Sequence, residues 1–262
     1  MIWRLERFGR AWNDLAGSNP FGAILTDTNG GLRQWRVDEF FDTGARDAAR
    51  FLAELERIAP GGRRGRLLDF GCGVGRVTRA LADHFESVVG MDIAPAMIAQ
   101  ARRLNRAHTR CTFVVNRGAR LRARRGTFDV IYSRLVLQHV PPRLVRAYIR
   151  EFIRVLAPRG VLMFQLPELI AHDSEESFVT APVLGNRVKQ RLPRVLVRAY
   201  RHLKYWWIVD DSPEHMAMFG MPQDVVLRVT RDTGGRVLAV APDQSHGPSP
   251  RGYEYWVSPS RV

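Results

Sequence analysis

The chain has 262 residues, 45% hydrophobic and 25% charged, a balance that fits one large α/β core with a cap and excludes a disordered or fibrous chain. Its formal charge is +14, from 40 Lys and Arg against 26 Asp and Glu; charge of that sign fits nucleic acid, an anionic membrane, an acidic substrate or a mere bias toward arginine, and does not choose among them. No apolar run approaches membrane-spanning length, no signal-peptide pattern opens the chain, and Cys72 and Cys111 lack metal-ligand spacing, which predicts reduced thiols in a cytoplasmic protein.

In residues 1–17, Ile2, Leu5, Phe8, Trp12 and Leu15 fall near one helical stripe. Turn signals follow at Ser18-Asn19-Pro20 and Asn29-Gly30-Gly31. The pattern then predicts a helix starting near Asp38 and another near Thr43, the latter reaching Ile58 before Pro60-Gly61-Gly62. Beyond this, strand and helix alternate. Strands are expected at 66–70, 87–91, 111–115, 128–133 and 160–166, with helices at 75–85, 95–106 and 142–156 between them. Such alternation argues for a parallel sheet with crossover helices. The pattern breaks after Pro167, and a helix at 222–234 and strands at 236–241 and 252–257 close the chain. The expected fold is therefore a doubly wound, mostly parallel seven-stranded sheet with helices on both faces, an antiparallel last strand and a helical cap. Residues 1–60 form the N-terminal part of that cap, and 61–262 the main domain with an insertion at 168–222.

Residues 67–75 read LLDFGCGVG: strand, glycine turn, then helix. Glycine permits positive φ and lets a ligand approach the backbone closely. The second strand pattern, SVVGMD, ends in Asp92, 21 positions after Gly71, where a carboxylate can accept hydrogen bonds from a ribose diol. The dinucleotide fingerprint needs a small residue at 76, which is Arg76. The spacing G-x-G-x-G, with an acid two residues ahead of the first glycine, resembles motif I of the class I S-adenosylmethionine-dependent methyltransferases of the small-molecule and sugar type. The resemblance covers roughly residues 65–166. It implies that Asp69, Gly71, Cys72 and Gly73 line the methionine end of S-adenosylmethionine, that Asp92 holds the ribose, and that Ile93 and Met97 flank the adenine. Asn116 and Gly118, after the third strand, and Leu135, after the fourth, complete the cofactor set. Arg117 stands beside Asn116, where many relatives carry an acid.

The fourth strand runs into SRLVLQH, 133–139, which resembles the same small-molecule group and lacks the N-P-P-aromatic motif of enzymes that methylate base amines. The sulfonium methyl is already activated, so catalysis is chiefly alignment, with proton removal when the acceptor is an alcohol. His139 suits that task because imidazole titrates near neutrality; the competing reading is a capping or core histidine. Glu168, after the fifth strand, is the second catalytic candidate, as a ligand for a substrate hydroxyl or a divalent metal. His215 is a third. His172, Asp173, Glu175 and Glu176 lack a diagnostic metal spacing, so no metal ligand is assigned and a divalent metal is unsupported.

The stretch 187–207 joins a basic amphipathic pattern to Tyr205-Trp206-Trp207. It reads as a peripheral contact with the inner membrane face, as an acceptor-binding element, or as a cap helix packed on the main domain. A second basic cluster, Arg117, Arg120, Arg122, Arg124 and Arg125, reads as solvated. The sequence thus predicts O-methylation of a hydroxyl on a small-molecule, saccharide or glycolipid acceptor. The alternatives are a lipid or quinone methyltransferase at a membrane surface, an RNA methyltransferase, for which no RNA-binding module is present, and a non-catalytic cofactor-binding scaffold.

Overall fold

The computed structural model describes residues 2–25, 34–168, 219–243 and 252–260, with the side chains of 2–8 excepted. By internal contacts the chain divides into two units, Met1–Ile170 with Phe219–Val262, and Ala171–Met218. The second lies outside the described residues, and with it the stretch 187–207, His172 to Glu176, and His215.

Among the described residues seven strands form one sheet: β1 (Arg66–Phe70), β2 (Ser87–Asp92), β3 (Cys111–Val115), β4 (Phe128–Ser133), β5 (Leu156–Pro167), β6 (Gly235–Asp243) and β7 (Gly252–Pro259). Their spatial order is β3-β2-β1-β4-β5-β7-β6. The first five run parallel, whereas β7 is antiparallel to both β5 and β6. The order reverses between β1 and β4, so the carboxyl ends of these two strands flank the crevice in which open α/β sheets bind ligands.

Alternate residues of each strand face opposite layers. On one side Leu68, Phe70, Ile131 and Phe164 pack against Tyr148, Ile149 and Phe152 of α6 (Pro142–Val155). Val226 and Val229, from the helix Gln223–Asp232, join that layer. On the other side Leu67, Val130, Tyr132 and Trp256 meet Ala48, Phe51 and Leu55 of α3 (Val37–Ile58) and Val77 and Leu81 of α4 (Arg76–Leu81). Phe51 stacks on Trp256 at 5.6 Å between ring centroids.

Two boundaries differ from expectation for physical reasons. The segment expected to hold helices near Asp38 and Thr43 is the single helix α3. No proline interrupts it, and Gly44 lets it lie directly on the backbone of Arg76. Strand β5 begins at Leu156, earlier than its apolar run, because Leu156 pairs with Phe128 ahead of a register shift.

Helices α1 (Ile2–Ser18) and α2 (Pro20–Ile24) precede the sheet. Asn19 caps α2 by accepting from the Gly22 amide at 3.0 Å, with Pro20 in the first turn. Asn13 of α1 accepts from the Ala96 amide at 2.9 Å, so α1 satisfies an orphan donor at the start of α5 (Pro95–Leu104). No helix among the described residues is long and apolar enough to cross a membrane.

Candidate active site

The turn after β1 takes positive φ at Gly71 (78°) and Gly73 (54°). A Cβ on Gly71 would strike the side chain of Val136, and one on Gly73 would lie 2.5 Å from Cδ1 of Ile24. The glycines thus serve a left-handed backbone and a close approach at once. The backbone amides of Gly71 and Cys72 both donate to the Met91 carbonyl, at 2.7 and 3.1 Å, tying the turn to β2.

Asp92 ends β2 and is partly exposed. Its Oδ2 accepts from the Gly73 amide and its Oδ1 from the Ala94 amide, each at 2.9 Å. Burial raises its pKa, against the amides of Ala94, Gly73 and Ile93. Each carboxylate oxygen keeps a lone pair for a further donor. Asn116, at the tip of the neighbouring β3, is buried; its Nδ2 donates to the Gly118 carbonyl at 2.7 Å, while its Oδ1 has no hydrogen-bond partner among the described residues. Two acceptors with spare capacity therefore stand at adjacent strand tips. Ile93 is partly exposed, with Gly9 of α1 packed against it. Gly118 is exposed.

Other expected cofactor residues have more structural surroundings. Met97 is buried with Ala16, Phe40, Phe41 and Val74, between the N-terminal helices and the glycine turn. The Cys72 side chain packs with Ile98, Ala101 and Phe113 beneath the turn, and burial pushes its thiol pKa well up. Only its backbone belongs to the edge of the turn.

Asp69 is buried and accepts from the Thr78 hydroxyl at 2.6 Å. Burial lifts its pKa to about 6 from an ordinary 3.8, with the Thr78 hydrogen bond and Arg76 opposing and Asp92 adding to the rise. Because the folded value lies above the unfolded one, the proton on Asp69 stabilises the fold fully below about pH 3.8, and that contribution is lost as pH rises through about 6. Asp69→Asn removes this titration. We expect the unfolding free energy of the native chain, taken relative to the variant, to fall by roughly 2 kcal/mol between pH 4 and pH 7. Urea midpoints across that range test this; a difference independent of pH would contradict it.

The segment after β4 departs from ordinary backbone. Leu135 has φ 62°, a conformation costing a non-glycine residue on the order of 1 kcal/mol. Its amide donates to Oε1 of buried Gln165 in β5 at 3.1 Å, which holds the turn. A 3₁₀ turn, Leu137–His139, follows. His139 Nε2 lies 3.0 Å from Nε2 of Gln138, and Trp12 of α1 meets the imidazole edge-on at 5.3 Å between centroids. Glu168 follows β5, the strand paired with β4, and is partly exposed. Burial, and then the charge of Glu168, raises the pKa of Tyr255 in β7. Both catalytic candidates thus follow neighbouring strands, His139 in the 3₁₀ turn after β4 and Glu168 directly after β5. Among the described residues no cluster of three His, Cys, Asp or Glu could hold a metal ion.

An ionic network beneath this edge was not foreseeable from the sequence. Arg76, at the start of α4, donates to Asp47 Oδ2 at 2.6 Å and to Thr43 at 3.0 Å. Asp47 also faces Arg134 at 3.4 Å, and Arg134 reaches Asp243 and Glu254, each at 3.4 Å. Arg50 completes the network through Glu254 at 2.8 Å. Burial alone would lower the pKa of Arg134, but Tyr132, Asp47, Asp243 and Glu254 outweigh it and hold the guanidinium charged. Asp47 thereby joins the helix after the glycine turn to the residue that precedes Leu135.

Residues 67–160 match a family model described as a methyltransferase domain. Over those residues the chain is similar to that family, and its fold is the Rossmann-like one of S-adenosylmethionine-dependent methyltransferases. Across 110 residues it is 34% identical to 2-methyl-6-phytyl-1,4-hydroquinone methyltransferase of Synechocystis, covering 42% of this chain and 33% of that one. Across 145 residues it is 32% identical to trans-aconitate 2-methyltransferase of Deinococcus radiodurans, covering 53% and 52%. The chain thus spans from a third to about half the length of these relatives. Among solved structures, magnesium protoporphyrin IX methyltransferase of Synechocystis, determined with bound S-adenosylhomocysteine, superposes with a TM-score of 0.60 at 15% identity, covering 98% of this chain and 99% of that one. That likeness is one of fold. The order reversal of this sheet, between β1 and β4, lies beside the glycine turn.

Proposed function

We propose that the chain transfers a methyl group from S-adenosylmethionine to a small-molecule acceptor, with a hydroxyl oxygen as the target. The observation that carries the reading is Asp92, held at the tip of β2 by the Gly73 and Ala94 amides with lone pairs to spare. In this reading its carboxylate accepts from the ribose hydroxyls, and the unpartnered Asn116 Oδ1 accepts from the adenine amine. Gly71 and Gly73 admit the methionine portion once Val136 and Ile24 yield the space beside them. The donor supplies a methyl group already activated as a sulfonium. The protein supplies alignment, exclusion of water by α1 and α2, and a base.

His139 is the proposed base, oriented by Gln138 and Trp12. It takes the acceptor's hydroxyl proton as the oxygen attacks, and Glu168 binds a second acceptor hydroxyl. His139→Ala and His139→Gln should each lower the transfer rate by about 100-fold or more while leaving donor affinity within a few-fold. Near-normal turnover in both would remove His139 from the chemistry. The acceptor itself is to be found by labelled-methyl transfer into fractionated cell extract, with mass spectrometry of the product. A carbohydrate or glycolipid product would support the first reading. The similarity to a hydroquinone methyltransferase favours a second, a quinone- or lipid-type acceptor, which the same assay would reveal by label in the organic phase.

A further inference from the structure

Between Asp92 and Asp129 the chain holds nine arginines and no acidic residue, which places +9 of its total +14 within 36 residues. A general bias toward arginine does not remove acids, so this local imbalance needs another account. These residues flank strand β3 on both faces of the sheet, α5 packing on the face of Phe113 and the connection out of β3 crossing the face on which α6 packs. Arg102, Arg103, Arg106 and Arg110 lie on the last turns of α5 and the loop into β3; Arg117, Arg120, Arg122, Arg124 and Arg125 lie in the connection out of it. Among the described residues strand β3 is an end strand, bonded in the sheet to β2. All nine arginines are exposed.

Few of them are neutralised. Arg102 donates to the Phe113 carbonyl, Arg103 to Gln100 and Arg110 to the Ala82 carbonyl. Arg120 lies near Glu151, whose pKa it helps to lower. Arg117, Arg122, Arg124 and Arg125 have no carboxylate partner among the described residues. Two cavities flank β3 and share Thr112. One, of about 340 Å³, is bordered by Arg102, Arg106 and His108. The other, of about 250 Å³, is bordered by Arg66, Arg122 and Arg124. Among the described residues no acidic side chain lines either.

We propose that this border of the sheet docks the protein on an anionic lipid bilayer, with the β3 edge against the headgroups. Arginine's fork pairs with phosphate in two-point geometry, and the two cavities can each seat a headgroup phosphate. Among the described residues Val37 is the one large apolar side chain that is strongly exposed, at 49%, and it lies outside this border. The contact is therefore electrostatic and superficial, without insertion. A single-stranded nucleic acid would need aromatic platforms, but Phe113 and Phe128 at this edge are buried. His139 and Glu168 follow β4 and β5, which stand three and four places from β3 in the sheet order.

The test is flotation of the full chain with vesicles of phosphatidylcholine alone or mixed with phosphatidylglycerol, alongside a gel shift with single-stranded RNA. The native chain should float with the mixed vesicles alone and be released by high salt. Combined Arg117, Arg122, Arg124 and Arg125→Gln should weaken partition by a factor on the order of 100. A control with the same charge change, Arg46, Arg159, Arg231 and Arg236→Gln, should retain it. Failure of the native chain to float, equal loss in both variants, or persistence in the first would each overturn the proposal. RNA binding lost in the first variant, without vesicle binding in the native chain, would assign the surface to nucleic acid instead. Hydrogen exchange on the native chain needs no variant: slowed exchange across 110–125 with mixed vesicles is expected, and unchanged exchange there would refute the docking edge.

Discussion

Asp47→Ala should lower the unfolding free energy by about 3 kcal/mol, read as a fall in the urea midpoint at unchanged slope. The size follows from what the substitution leaves behind. Arg76 and Arg134 have side chains only 7% and 11% exposed, and Asp47 touches both. Arg134 keeps Asp243 and Glu254, but Arg76 is left with the Thr43 hydroxyl and the ring of Phe40 at 6.0 Å. A guanidinium buried without its carboxylate carries most of its desolvation cost unopposed. Asp47→Asn retains an acceptor and should cost less, about 1 kcal/mol. If the alanine variant unfolds at the native midpoint, the network does not stabilise the fold.

Asp92→Ala should weaken binding of S-adenosylhomocysteine by roughly 10- to 100-fold, as calorimetric titration would show. Hydrogen bonds to a charged group contribute about 1.5–3 kcal/mol, and the proposed ribose contacts are of that kind. The substitution also frees the Gly73 and Ala94 amides that Asp92 holds at 2.9 Å, so the turn loses its brace together with the ligand's partner. Asp92→Asn loses the charge but keeps one of the two braces, because its amide oxygen can accept from Gly73 or Ala94 and its NH2 cannot. An intermediate affinity is expected. Native affinity in both variants would remove Asp92 from the donor site.

The course of β1 through β4 was legible because apolar runs, glycine and proline mark it locally. LLDFGCGVG specifies a strand and a left-handed turn within nine residues, and Pro95 and Pro142 mark helix starts. The strand-tip position of Asp92 follows from that periodicity. What escaped was set by tertiary contact. Nothing in VDEFFDTGARD tells Asp47 from Asp42, yet Asp47 bridges two arginines while Asp42 is exposed. The partners of Arg134 lie 87 to 120 positions away in the chain, beyond any spacing rule. Gly44 looks like a helix weakness and is in fact the point where α3 meets Arg76. Cys72 reads as a ligand-lining residue from its place between glycines, but the sheet turns its thiol toward Phe113. The cluster from Arg117 to Arg125 was visible in the sequence but read as solvated; what sets it apart is the acid-free interval from Ile93 to Phe128, seen when charge is counted locally instead of summed.

The donor site is central to this account, and titration of the folded, unmodified chain with S-adenosylhomocysteine tests it most directly. The geometry at Asp92, Asn116 and the glycine turn predicts saturable binding of one molecule per chain. Absence of binding, with the cooperative unfolding transition intact, would contradict the assignment of this edge as a methyl-donor site.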